Sequence, residues 1–308
     1  MGPRRTSGKA GRTVDEGPAA LKTMLERIYR RYNHRRCIGA DPLQFAYRFD
    51  DSGDIEIAAF LAAALAYGRV EQIQRSVNDL LARMGERPRD FVAGFGRLSR
   101  KRLAGFKYRF TTGDDIADLL ELLRDVLRRH GSIEAFFLAG DQAGHANILP
   151  ALTRFCDTLS AAYASRHDGR LSRGLMYLLA NPRRGGASKR LHLFLRWMVR
   201  NDAVDPGLWK GIAPARLIVP VDVHMGRLCR ILGLHDRRTI SLATAVRITE
   251  AFAGIEPADP VKYDFALSRI GILDGCTGAY RPDCQACELF GVCLRRQEWR
   301  GGRGHAAG

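Results

Sequence analysis

Apolar residues return every three or four positions along nearly the whole chain, and this rhythm constrains the fold more than any other feature. It runs through "LKTMLERIYRRY" (Leu21–Tyr32), "DIEIAAFLAAALAY" (Asp54–Tyr67), "VEQIQRSVNDLLARM" (Val70–Met84) and "SLATAVRITEAFAGI" (Ser241–Ile255). The stretch "DDIADLLELLRDVLRRHG" (Asp114–Gly131) opens with acids, ends with bases and has Gly131 just beyond. That order complements the helix dipole and supplies a glycine C-cap. Convincing apolar–polar alternation is absent, so the sequence predicts an all-α fold. The longest apolar run, Ile57–Tyr67, is far shorter than the ~20 residues that span a bilayer.

The 308 residues suffice for two domains. Residues 1–20 read as a disordered basic tail, 21–113 as N-terminal helices and 114–234 as a central helical domain. Residues 235–294 read as C-terminal helices plus a cysteine-rich loop, packing back on 21–113, and 295–308 as a flexible basic tail. The N-terminus lacks the apolar core of a secretory signal, so a cytoplasmic location is expected. Nothing in the pattern calls for an obligate protein partner, and a monomer is expected.

Net charge is +16. Residues 1–20 and 294–308 contribute +5 of it, which leaves +11 on the rest of the chain. A surplus of that size points to a polyanion, nucleic acid first. Arg outnumbers Lys 42 to 7, so a compositional bias toward arginine is the plain alternative. The charge is clustered: Arg97–Arg109 and Asn181–Arg200 each hold six basic residues and no acid. Aromatic residues are interleaved in both, Phe106 and Tyr108 in the first, Phe194 and Trp197 in the second. Stacking on bases is one reading of them. Core anchoring is the other, and helical spacing with Leu191 and Leu195 favours it for Phe194 and Trp197.

Four of the seven cysteines, Cys276, Cys284, Cys287 and Cys293, follow the spacing C-x7-C-x2-C-x5-C. In a reducing compartment such a group suggests metal thiolates over disulfides. Zinc and a [4Fe–4S] cluster both take four thiolates, and the spacing alone separates neither. Cys37, Cys156 and Cys229 sit on apolar helical faces and read as core residues.

Upstream, "NPRRGGASKR" places Pro182, Arg183, Arg184 and the Gly185–Gly186 pair in a turn that leads into a basic helix near Ala187. Free backbone N–H groups at such a helix start suit a phosphate. Lys189 falls in the first turn and Arg190 follows it. "LIVPVDVHMGRLCRILGL" then sets Asp222 as N-cap of a helix over 223–233. Gly226 allows close packing there, and His224 is expected to pack or bond locally. Asp222 is open to two readings, a plain cap or a functional carboxylate. Lys189 is likewise a phosphate contact, a solvated helix residue or an amine nucleophile.

Taken in order, "GGASKR", "VPVDVH" and the cysteine run resemble the lysine-bearing hairpin, the essential aspartate and the iron–sulfur loop of endonuclease III-type DNA glycosylases. The chain is thus similar to the helix–hairpin–helix–Gly/Pro–Asp superfamily. "GADPLQFAYRFDD" and "GFKYRFTTGDD" look like a bacterial branch of it known as a domain of unknown function. There are departures. The superfamily hairpin reads Leu-Pro-Gly-apolar-Gly, whereas Arg183–Arg184 intervene here. Lys189 and Asp222 are further apart than in endonuclease III, with Asn201–Arg216 reading as an insertion; some archaeal oxidised-guanine glycosylases have a similarly long gap. Position 223 is Val in place of Thr, and the first cysteine gap is one residue longer.

The resemblance implies a two-domain helical glycosylase fold with a C-terminal [4Fe–4S] loop, zinc being the alternative. It implies DNA as partner, with Asp222 and Lys189 as catalytic residues of base excision. Asp222 would stabilise the cationic sugar or activate a water, and Lys189 would attack the sugar and form a Schiff base. Arg183, Arg184, Gly185, Gly186, Arg190, Arg69 and Arg281 would contact DNA, with Tyr67 and Gly68 beside Arg69 in the loop that fills the gap left by a flipped base. A nucleoid-associated location would follow. The rival expectations are a non-catalytic nucleic-acid-binding protein on the same scaffold and RNA as the ligand.

Overall fold

A computed structural model of the chain describes residues 18–297. The tail readings for 1–17 and 298–308 lie outside the described residues. Thirteen α-helices and one β-hairpin form the regular structure of the described residues. They run α1 (Pro18–Tyr32), α2 (Ser52–Ala64), α3 (Val70–Met84), α4 (Pro88–Ala93), α5 (Arg97–Arg102), β1 (Lys107–Tyr108), β2 (Thr111–Thr112) and α6 (Gly113–His130). After these come α7 (Ile133–Ala139), α8 (Leu149–Ala164), α9 (Arg173–Leu179), α10 (Lys189–Val199), α11 (Val223–Ile231), α12 (Leu242–Ala253) and α13 (Asp264–Ile272). The fold is therefore mostly helical. No helix among the described residues is long and apolar enough to cross a membrane.

Helix α2 lies at the centre. It is apolar on every face, and ten of its thirteen residues are buried, as expected of a core helix. Its alanines let α10 approach, and Phe60 meets Phe194 edge-on at 5.0 Å. Phe194 and Trp197 are buried core residues, as their spacing predicts, and so are Phe106 and Tyr108. Cys156 and Cys229 are fully buried, and Cys37 packs against the core from its edge.

Helix α6 starts on a reciprocal cap. Thr112 Oγ1 accepts the Asp115 N–H at 3.3 Å, and the Asp115 carboxylate accepts the Thr112 N–H at 2.8 Å. Gly131 ends it at φ 83°, in the left-handed region where a glycine carries no Cβ penalty. The first and last α-helices of the described residues meet: α1 packs on α13, and Glu26 accepts bonds from Lys262 Nζ and Tyr263 Oη, each at 2.6 Å.

Residues 201–216, read from sequence as an insertion, are woven into the core. Trp209 is 2% exposed and its indole N–H donates to Glu56 at 2.8 Å. Asp205 is fully buried between Arg196 and Arg200. The β-hairpin escaped the sequence reading because each strand is only two residues long, too short for alternation to show.

Candidate functional site

Lys189 is the first residue of α10 and Asp222 caps α11, so two helix starts converge on one point. Lys189 Nζ lies 2.7 Å from Asp222 Oδ2 across 33 residues of sequence. Each side chain is 33% exposed. Asp222 Oδ1 meanwhile accepts the Met225 N–H at 2.8 Å. The cap and the ion pair thus use different oxygens of one carboxylate. Burial works against the Asp222 charge, but Lys189 and the Met225 amide prevail and hold its pKa below the usual carboxylate range.

The pair opens on a cleft of about 590 Å³, a volume typical of small-molecule sites. Tyr67 and Gly68 line one side, His224 and Ile272 another. His224 is exposed at the cleft, where the sequence reading had it packed or bonded locally. Two buried ion pairs reach the cleft wall, Arg196 with Asp264 at 2.5 Å and Arg269 with Asp41 at 3.0 Å. Neither pair was visible in sequence, because their members lie 68 and 228 residues apart.

The glycine turn stands beside this pair. Gly185 adopts φ 77°, and its carbonyl accepts the Leu242 N–H at 2.9 Å, docking the turn on the start of α12. Ser188 holds φ 46°, left-handed for a non-glycine residue, and its hydroxyl bonds the Ala180 carbonyl at 2.7 Å. The backbone N–H groups of residues 186–190 find no acceptor among the described residues. A row of free amides at a helix start is an anion seat.

The basic residues divide. Arg183 and Arg69 are exposed; Arg183 is paired with Asp157 at 2.5 Å. Arg184 is also exposed, with Nη2 2.7 Å from Met176 Sδ. Arg190 does not point outward as expected of a phosphate contact. Its guanidinium is buried, donates to the carbonyls of Ala64 and Tyr177, and lies over the Tyr177 ring at 4.3 Å. Arg281 folds back on its own loop and donates to the Asp274 carbonyl at 3.4 Å.

Cys276, Cys284, Cys287 and Cys293 line one small apolar cavity of about 30 Å³. Among the described residues no three His, Cys, Asp or Glu side chains are grouped as ligands of a single metal ion. Backbone N–H groups nevertheless point at three of the sulfurs: that of Arg281 at Cys284 Sγ, 3.3 Å away, and those of Leu289 and Arg295 at Cys287 and Cys293. Burial raises the Cys287 and Cys293 thiols above their ordinary pKa, and the neighbouring cysteines add to it.

The chain matches the family described as Protein of unknown function (DUF2400) over residues 41–273. It belongs to that family. No curated protein and no solved structure matches it. The DUF2400 match takes in Lys189, Asp222 and every residue of the cleft wall named above. It ends three residues before Cys276, so the cysteine loop lies outside it.

One residue of evident interest escaped the sequence reading. Phe110 is 65% exposed at the tip of the β-hairpin. The sequence carries the signal in "YRFTT", an aromatic between Arg109 and two threonines, one position beyond the basic run Arg97–Arg109.

Proposed function

We propose that the chain is a DNA base-excision protein, an N-glycosylase with lyase chemistry that acts on a flipped base. The observation that carries this reading is the Lys189–Asp222 pair, 2.7 Å apart in the wall of a cleft with room for a nucleotide. An amine and a carboxylate at two helix starts supply a nucleophile and a counter-charge for a cationic sugar. Asp222, held below the usual carboxylate pKa, stays ionised at neutral pH and suits charge stabilisation better than proton abstraction. Lys189 must lose a proton to attack. In the proposed step the bond from C1′ to the base breaks, a C1′–Nζ bond forms, and the proton from Nζ ends on the departing base. The free amides of residues 186–190 would seat a backbone phosphate beside the reacting sugar.

The four cysteines would hold a [4Fe–4S] cluster. Three of the sulfurs accept backbone N–H bonds, which favour thiolate, and all four face one apolar cavity. Such a cluster would brace the loop against α11 and α13. Arg227 Nη1 already donates to the Thr277 carbonyl at 3.1 Å, and Leu294 N–H to the Ile231 carbonyl at 2.8 Å. Anaerobically purified protein with a broad visible thiolate–iron band supports the cluster; a colourless protein with stoichiometric zinc overturns it.

The decisive experiment is borohydride trapping on duplexes carrying abasic sites and a panel of damaged bases. Wild type should form a covalent adduct, Lys189→Ala should form none, and Asp222→Asn should slow the reaction by roughly 100-fold or more. The ion pair also favours a second reading, a non-catalytic nucleic-acid binder, because it engages the Lys189 amine with the Asp222 carboxylate. Salt-sensitive binding without trapping, unchanged in Asp222→Asn, would select that reading; competition with matched RNA would name its ligand.

A further inference from the structure

The chain sets an aromatic group at the edge of the cleft that the lysine–aspartate chemistry does not use. The β-hairpin Lys107–Thr112 leans on the loop after α2: Tyr67 Oη donates to the Tyr108 carbonyl at 3.0 Å, and Tyr108 Oη donates to the Tyr67 carbonyl. This lock presents the turn residues Arg109 and Phe110. Phe110 is 65% exposed and Tyr177, from α9, is 38% exposed. Their rings meet at 5.8 Å and 78°, and Phe110 is nearly parallel to Tyr67, 9° between planes at 6.3 Å. Three aromatic rings from three separate elements therefore form one cluster with its outer side open.

Arginines line the same cluster. The Arg109 guanidinium lies 5.3 Å from the Phe110 ring centre. Arg109 itself holds φ 51°, a left-handed conformation usually left to glycine or asparagine. Such strain persists only where the surroundings impose it. Here the side chain also packs against Gly68, which holds φ 95°; a Cβ built there would meet Arg109 Nη1 at 2.7 Å and Tyr108 Oη at 2.9 Å. Arg173, Arg184 and Arg190 line the neighbouring hollow with Tyr177. Ala180, Ser188 and Arg190 belong to that hollow and to the lysine–aspartate cleft alike, so the two adjoin.

An exposed ring in a soluble protein is ordinarily unremarkable, but a preformed ring cluster flanked by cations at a cleft edge matches one ligand chemistry. Stacked bases need flat apolar faces, and the phosphates between them need cations. We propose that Phe110 and Tyr177 form a stacking platform for an unpaired base of the nucleic acid, adjacent to the nucleotide in the cleft. The platform rests on the nucleic-acid reading above. It adds a preference for strands with an unpaired position over fully paired duplex.

The test uses the full chain, with fluorescence anisotropy on three labelled probes: a single strand, a duplex with a one-nucleotide bulge and a fully paired duplex. Phe110→Ala should weaken the first two by roughly tenfold or more, the scale of one lost base–aromatic stack, and leave the paired duplex within about twofold. Phe110→Trp should restore binding, and 2-aminopurine at the bulge should be quenched by wild type and Phe110→Trp alone. Because Phe110 is exposed, all variants should melt with wild type, and Phe110→Leu controls for lost apolar area. Equal losses on all three probes, or none, overturn the platform while leaving the nucleic-acid reading standing. A wild type that binds no probe overturns both.

Discussion

Asp222 has two tasks that different substitutions separate. Asn can keep the cap on Met225 but not the charge, whereas Ala loses both. In urea unfolding at neutral pH, Asp222→Ala should be less stable than Asp222→Asn by about 1 kcal/mol, the worth of a cap. The same carboxyl reports on Lys189. Removing the ammonium in Lys189→Met leaves the desolvation that opposes the Asp222 charge. Its titration midpoint, followed by carboxyl carbon NMR, should therefore move up. An unmoved midpoint would mean the 2.7 Å pair does not form in solution. Sequence placed both residues at helix starts, because glycine turns and helix caps are local patterns. It could not join them, since the pairing is made by the packing of α10 and α11.

At the scale of elements, Glu56 shows what a helical rhythm conceals. It sits in the apolar helix α2, yet its carboxylate accepts the N–H groups of Ile133 at 2.8 Å and Glu134 at 2.9 Å, plus the Trp209 indole. One side chain therefore fixes the start of α7 and the segment after α10 onto the central helix. Burial raises its pKa above the usual carboxylate value despite those three donors. Glu56→Ala strands all three and should cost about 3 kcal/mol or more in denaturant unfolding. A loss below about 1 kcal/mol would show that water replaces the carboxylate there. The helices themselves were legible: α6 begins one residue before the stretch read from sequence, behind a Thr112 capping box, and ends at the Gly131 read there as its C-cap. The two-residue β-strands were not, because too few positions carry the pattern.

Across the whole molecule, buried charge is the least expected feature. Arg196 and Arg200 are each nearly inaccessible and share Asp205, with Asp264, Asp202 and Asp259 completing the network. Burial opposes the Arg200 charge, but Asp205, Asp259 and Asp202 together raise its pKa above the ordinary arginine value. Beside this network of paired charges, His192 is 1% exposed with neither ring nitrogen hydrogen-bonded among the described residues. Burial pushes its pKa down to about 3. The unfolded chain binds a proton at His192 below pH ~6.5, and the folded chain does not until about 3. Its contribution to stability is thus complete above ~6.5 and lost progressively as pH falls toward the folded value. His192→Leu should remove that loss, so its advantage over wild type in urea should be larger at pH 5 than at pH 8. Equal differences at the two pH values would show that His192 is charged or hydrated in the folded protein.

The sequence by itself determined the helical class, most helix limits, the caps and the cysteine spacing. Each of these depends on residues within a turn or two of one another. Only the tertiary structure decided that Val204, Trp209 and Ile212 anchor 201–216 to the core, that Arg190 faces inward and that Phe110 faces out. Burial is a property of what packs on a residue, and its neighbours there come from far along the chain. The site divides in the same way: its side chains are written locally, and the 2.7 Å between Lys189 and Asp222 is set by how the helices meet.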